Sequence, residues 1–189
     1  MEALDALLNR VSVPRLYDPA PNAEQRQLMF RAALRAPDHG QLRPWRFLTI
    51  EGAAREQLGE LFAQAVATHG NTKPEMLTKA RTMPLRAPLL VAVIASPKTH
   101  FKVPESEQIL SAGCAAHSIV LAAYALGLGA IWRSGDLSHD PIVKAGLGVT
   151  PQEQIIGFIY LGTIEGERRT PPELDPASFV SAWRGSPEH

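Results

Sequence analysis

The sequence predicts a single domain, residues 1–189, in which helices cover a buried sheet. Three observations carry that expectation. Residues 88–95 form an unbroken apolar run of strand length, β-branched at its centre, which is the pattern of a strand buried on both faces. Residues 105–127 read as the longest helix, with no charged side chain from Ser111 to Trp132, as in a helix at the centre of a fold. Around these two, helical periodicity alternates with short apolar strands at 45–50, 130–132 and 154–162.

Composition narrows the class. A chain of 189 residues, 45% hydrophobic and 20% charged, can bury a substantial core. Lys plus Arg and Asp plus Glu both number 19, so no net field draws in nucleic acid or an anionic membrane. The single cysteine excludes an intramolecular disulfide framework and fits a reducing, cytoplasmic setting. Cys114 lies among Ala, Gly and Ser and reads as a buried, inert thiol. The N-terminus is acidic and lacks the apolar stretch of a signal peptide. The 105–127 helix is long enough to span a bilayer. It is rich in Ala, Gly and Ser rather than Leu, carries His117 midway and has no strongly basic flank, so a membrane span is rejected. His117 then reads as a hydrogen-bonded core residue.

In chain order, residues 2–9 form a helix with Leu4, Leu7 and Leu8 on one face. Residues 10–15 are extended, so Arg10 and Ser12 point to one side and Val11 to the other. Asn22, with Gln25 three residues on, opens the second helix. Its stripe is Leu28, Met29, Ala32 and Ala33. The loop 35–45 follows, stiffened by Pro37 and Pro44. Pro37 ends the helix, and Pro44 is expected to hold Arg43 extended on entry to the strand. Residues 53–68 form a helix with Leu58, Leu61, Phe62, Ala65 and Val66 inward, and Pro74 starts another through Arg81. A loop spans 96–103 and Pro104 begins the long helix, which ends at Gly127-Leu128-Gly129. Asp136, Ser138 or Asp140 caps a short helix at 141–145. From Thr163 the chain is Pro-rich and charged and runs over the surface or over a partner subunit, with Phe179 and Trp183 as anchors.

Several chemistries lack support. No paired His spacing suggests a metal site, and neither a Gly-x-Ser-x-Gly elbow nor a Gly-x-x-x-x-Gly-Lys loop occurs. Gly127-Leu128-Gly129 lacks the third Gly and preceding strand of a dinucleotide fingerprint. What remains is three anion-suited loops: Arg10 with Ser12, Arg35 with His39, and Arg133 with Ser134. A guanidinium fork beside a hydroxyl holds phosphate well. A phosphorylated planar cofactor could use all three, with Trp132 or Trp45 as aromatic surface.

These motifs carry a resemblance. Arg10-x-Ser12 after an N-terminal helix, Arg35-Ala36-Pro37-Asp38-His39 leading to Gln41-Leu42-Arg43-Pro44-Trp45, and Gly129-Ala130-Ile131-Trp132-Arg133-Ser134-Gly135 resemble the FMN-dependent nitroreductase family. Arg86-Ala87-Pro88, Ser111-Ala112-Gly113-Cys114-Ala115 and Gly157-Phe158-Ile159-Tyr160-Leu161-Gly162 extend the likeness over nearly the whole chain, toward the minimal, YdjA-like branch.

The resemblance implies an α+β fold, a central mixed sheet between helices in three layers, and an obligate homodimer with FMN at its interface. It implies that Arg10, Val11 and Ser12 hold the phosphate, that Arg35 and His39 reach the flavin from the other subunit, and that Trp132, Arg133 and Ser134 lie along the isoalloxazine. A nicotinamide site is implied at Ala122, Ala123, Tyr124, Ala125, Leu126 and Gly127. The implied activity is ping-pong hydride transfer from NAD(P)H to FMN and on to a small organic acceptor such as a nitroaromatic or quinone, with no residue assigned as obligatory general acid. Two departures stand out. Val11 replaces a common Arg, and the C-terminal basic pair of larger members has no clear match, Arg168 and Arg169 being the substitutes on offer. Rival readings are other flavin chemistry on the same scaffold, such as reductive dehalogenation or a dedicated oxidase, and a flavin-binding module with little turnover. A nucleic-acid patch of Arg26, Arg31, Arg35, Arg43 and Arg46 is disfavoured by the zero net charge.

Overall fold

The computed structural model describes residues 2–185. Its helices are α1 (Ala3–Asn9), α2 (Ala23–Ala33), α3 (Ala53–Thr68), α4 (Pro74–Thr82), α5 (Glu105–Ala125), α6 (Asp136–His139) and α7 (Pro141–Gly146). Its strands are β1 (Trp45–Glu51), β2 (Leu89–Ala95), β3 (Gly129–Arg133) and β4 (Gln154–Gly162), in the sheet order β1-β2-β4-β3.

Every residue of β2 is buried. Leu89, Val91, Val93 and Ala95 face one core with Met29 and Ala33 of α2 and Ala112, Ala116 and Ile119 of α5. Leu90, Ala92 and Ile94 face another with Leu58, Phe62 and Ala65 of α3 and Val143 of α7. The expected α+β arrangement of a central sheet between helices is present. The mixed sheet is corrected, because every pairing among the described residues is antiparallel. The reason is topological. Helix α5 carries the chain back along the sheet, so β3 runs the same way as β2, but β4 lies between them and opposes both.

Local signals account for most boundaries. Asn22 Oδ1 accepts from the Gln25 amide and Gln25 Oε1 from the Asn22 amide, both at 2.9 Å. Asp140 is the cap of α7, its Oδ1 accepting from the Ile142 and Val143 amides at 2.8 and 3.2 Å. Helix α6 is an addition. Arg43 is a correction: its φ is +50°, left-handed rather than extended. Pro44 bars only the right-handed helical region. The Asp38 carboxylate then decides, accepting from the Leu42 amide at 3.1 Å and the Arg43 amide at 2.8 Å.

Cys114 and His117 are also corrected. Both are exposed on the outer face of α5, whose inner face of small residues is the buried one. A face of small uncharged residues looks the same in sequence whether or not it is covered. Helix α5 is long and apolar enough to cross a membrane, and half of its most apolar window is buried in this fold. Leu4 and Leu8 of α1 are 68% and 71% exposed, and only Ala6 of that helix is buried. Phe179 and Trp183 in the tail are likewise exposed and do not act as anchors among the described residues.

One buried acid ties β1 to the approach of β4. Glu153 accepts from Arg46 Nε at 2.7 Å and Nη2 at 2.8 Å, from Ser96 Oγ at 2.5 Å and from the Thr150 amide at 3.0 Å. The Arg46 hydrogen bonds, above all, hold its carboxyl well below the usual range. Glu153→Gln should therefore cost about 2 kcal/mol at neutral pH, discounted from a fully buried pair because Arg46 is partly exposed. The stabilisation is complete above the unfolded pKa of about 4.3 and fades as pH falls toward the lower folded value. Urea denaturation at about pH 7 and about pH 3 checks it: the gap between wild type and variant should narrow at the lower pH.

Candidate functional site

Strand β3 is an edge strand, and the N-terminal segment runs beside it: the Val13 amide donates to Ala130 O at 3.0 Å. That contact brings Arg10 and Ser12 to the end of β3. Side chains alternate along the strand. Ala130 and Trp132 lie on the α5 side, and Ile131 and Arg133 on the α3 side.

Trp132 is placed by its neighbours. Its Nε1 donates to Ile156 O at 3.3 Å. The indole lies over Gly157, where a Cβ would collide with Nε1 and stand 2.6 Å from Arg133 O. Gly113 of α5 faces the ring's far edge, with room for a Cβ at 3.8 Å. The absence of a side chain at Gly157 thus seats the tryptophan between β4 and α5.

Three hollows meet at Trp132. One of about 300 Å³ is lined by Arg10, Ser12, His117, Val120, Trp132 and Ser134. A second, of about 330 Å³, shares Trp132 and Ser134 and continues on the α3 side to Arg133, Tyr160, Ser138 and Met83. A third, of about 570 Å³ and largely apolar, follows the outer face of α5 past Pro37, Leu110, Cys114 and His117. Val11 lines a further hollow with Arg15, Arg168 and Arg169, which shares Ser12 with the first.

Arg133 donates from Nη2 to Pro14 O at 3.2 Å and stands 5.6 Å from the Tyr160 ring centre. Its Nε is buried without a hydrogen-bond partner. Burial pushes the Tyr160 phenol up, an effect opposed by the positive charges of Arg133 and Arg86. Among the described residues no group of three or more His, Cys, Asp or Glu could hold a metal ion.

Five of the expected site residues, Arg10, Ser12, Trp132, Arg133 and Ser134, meet in the first two hollows. Val11 is their neighbour and can offer only backbone. Arg35 and His39 do not line the groove of their own chain. Their loop packs beside α5, where Ser111 Oγ donates to Pro37 O and His39 Nδ1 lies 2.7 Å from Glu107 Oε2. Residues 122–127 form the last turn of α5 and its exit. Ala123 is buried, and the Leu126 and Gly127 amides bond back to Ala122 O and Tyr124 O. That segment is a helix C-terminus, the negative end of the dipole, and lines none of these hollows. Arg168 is engaged nearby, 4.5 Å over the Tyr124 ring and donating to Leu128 O at 3.3 Å. His117, Tyr160 and Met83 belong to the groove and were not among the expected residues. The only signal for His117 was a lone imidazole on an uncharged helix, and Tyr160 sits unmarked in the apolar run of β4.

A family model described as "Nitroreductase family" matches residues 7–163. The Escherichia coli protein named "Putative NAD(P)H nitroreductase YdjA" is 43% identical over 182 residues, covering 96% of this chain and 99% of that one. A Haemophilus influenzae protein named "Putative NAD(P)H nitroreductase" is 38% identical over 183 residues, with the same coverage. Among solved structures, a nitroreductase-like family protein from Bacillus cereus superposes with a TM-score of 0.83 at 19% identity, over 98% of this chain and 97% of that one. A nitroreductase with bound FMN from Bacteroides fragilis superposes with a TM-score of 0.74 at 21% identity, over 97% and 100%. The structural likenesses establish the shared fold. With a family match over most of its length and relatives of that identity along nearly all of it, this chain belongs to the nitroreductase family.

Proposed function

We propose that the chain is an FMN-dependent NAD(P)H oxidoreductase that reduces a small organic acceptor such as a nitroaromatic or a quinone. The observation that carries this reading is the meeting of Arg10 and Ser12 with Trp132 and Ser134 in one hollow at the free edge of the sheet. A guanidinium and a hydroxyl suit a phosphate, and an indole with an open face suits a planar ring. The buried Arg133 Nε without a partner and the room between Trp132 and Tyr160 fit a larger, partly anionic group such as FMN.

In this reading Arg10, the Ser12 hydroxyl and the Val11 backbone hold the phosphate. Trp132 and Ser134 orient the ring, and the apolar groove past Pro37 and Leu110 admits NAD(P)H and acceptor in turn. FMN supplies the two-electron chemistry: a hydride taken from NAD(P)H is passed to the acceptor. The protein's residues bind, orient and exclude water, and no side chain is assigned as an obligatory acid. The family resemblance also implies a nicotinamide contact at residues 122–127, of which Ala123 is buried while Ala125 and Gly127 are exposed.

The reading also takes the chain as a cytoplasmic homodimer. The exposed leucines of α1, Leu110 on α5 and the aromatic residues of the tail form apolar surface that a second copy would cover. A second copy would also bring its Arg35 and His39 to the groove.

Purified protein should release FMN near one per chain on denaturation, read from the visible spectrum. Arg10→Ala should weaken FMN affinity at least tenfold, a loss of about 1.4 kcal/mol, in a fluorescence titration. An unchanged affinity would falsify the phosphate role. Leu110→Glu should shift sedimentation toward monomer and reduce FMN retention, whereas an unaltered dimer would remove α5's outer face from the interface.

A further inference from the structure

The α3 side of the groove holds two hydroxyls that the fold itself does not use. Tyr160 of β4 stands opposite Ile131 of β3, so its ring lies on the α3 side of the sheet, and it is 3% exposed. Ser138 of α6 is 2% exposed. The side-chain hydrogen bonds at this corner run from Trp132 to Ile156 O and from Arg133 to Pro14 O, and neither hydroxyl makes one among the described residues. Both residues line the same hollow of about 330 Å³. A buried hydroxyl without a partner is destabilising, and phenylalanine and alanine would fill the two places without that cost. Two such hydroxyls on one hollow point to a ligand that uses both.

The surroundings indicate its chemistry. Phe62, Met83, Leu137 and Phe158 give the hollow apolar walls, which suit a flat ring with a polar edge. Each hydroxyl can donate one hydrogen bond and accept others. Burial pushes the Tyr160 phenol up, so it stays protonated and able to donate at neutral pH. The hollow shares Trp132 and Ser134 with the one that contains Arg10 and Ser12. A ligand held by its phosphate at Arg10 can thus extend a ring past Trp132 toward Tyr160. The pyrimidine ring of a flavin ends in two carbonyl oxygens with an N–H between them, a pattern that two hydroxyls can match.

We infer that Tyr160 and Ser138 bind the pyrimidine edge of the flavin, at the opposite end of the site from Arg10. This rests on the FMN reading above. Arg10 and Ser12 would hold any phosphate, so they cannot tell a flavin from another phosphorylated ligand. The two hydroxyls can, because a ligand without that polar edge leaves them buried and unpaired, and a site built to hydrogen-bond its ligand rejects analogues that lack the matching group.

The test measures FMN affinity by fluorescence titration, and the visible spectrum of the bound flavin, for wild type, Tyr160→Phe, Ser138→Ala, Arg10→Ala and the Arg10→Ala/Tyr160→Phe pair. Tyr160→Phe keeps the packed ring and removes only the oxygen. It should bind FMN about three- to tenfold more weakly and shift the absorption bands of the bound flavin, because a hydrogen bond to the ring is lost. Ser138→Ala should change both in the same way and by less. Arg10→Ala should leave the bands in place, and its loss of affinity should add to that of Tyr160→Phe, since the two act at separate ends. Tyr160→Phe with wild-type affinity overturns the inference. So does weakened affinity with unshifted bands, since the hydroxyl would then act without touching the ring. Ser138→Ala with wild-type affinity and bands overturns the pairing of the two hydroxyls. Wild-type protein that takes up no FMN overturns the underlying reading and this inference together, an outcome visible before any variant is made.

Discussion

Seven consecutive residues of β2 are out of contact with water, and a strand in that state needs cover on both faces. Each large aliphatic side chain so buried contributes about 1.5–3 kcal/mol, and the strand carries several of them. The cover comes from α2 and α5 on one side and α3 and α7 on the other. With β2 central and β4 inserted beside it, β1 and β3 become the edges. The free edge of β3 is then available to the N-terminal segment through the Val13 amide, and that one backbone contact carries Arg10 and Ser12 to Trp132. The position of the groove follows from the burial of a strand that takes no part in it.

Helix α5 links the core to the groove. Its inner face of Ala112, Ala115, Ala116 and Ala123 lets it lie close on the sheet, and its outer face carries Leu110, Cys114 and His117 into the open. The same uncovered character recurs in the leucines of α1 and in Phe179 and Trp183 of the tail. A chain with no net charge has little electrostatic repulsion to keep such surfaces apart. These features support assembly of two copies, in which the groove, bounded on one side by α5's outer face, would gain its remaining wall.

Much of this was legible in the sequence. The 53–68 helix, the capping box at Asn22 and the apolar runs of β2 and β4 rest on local patterns, and the structure places them within a residue or so of expectation. What failed was non-local. Arg43 is left-handed because the Asp38 side chain, five residues back, captures two amides. The mixed sheet gave way to an antiparallel one because strand order depends on where β4 inserts. Cys114 and His117 were misplaced because an uncharged helix face does not announce whether its cover comes from its own chain. Alternation in residues 10–15 did place Arg10 and Ser12 on a common hollow that Val11 does not line, although Ser12 also borders Val11's own hollow. Nothing local linked Tyr160 to that region; only the pairing of β3 with β4 does so.

The groove shows how a protein of zero net charge builds a locally positive site. Arg10 and Arg133 stand on either side of Trp132 and Ser134, one on each face of the same edge strand, and neither has a carboxylate partner among the described residues. Two of the acids are engaged elsewhere, Glu153 on Arg46 and Glu51 on Arg26. Glycine at 157 weakens β4 by supplying no side chain, yet a side chain there would displace the indole that separates the two cations. Packing is thus given up at the strand glycine and a hydrogen bond at the buried Arg133 Nε, and both points adjoin Trp132. Departures from optimal packing and pairing that converge on one residue mark a site shaped by its ligand rather than by folding alone.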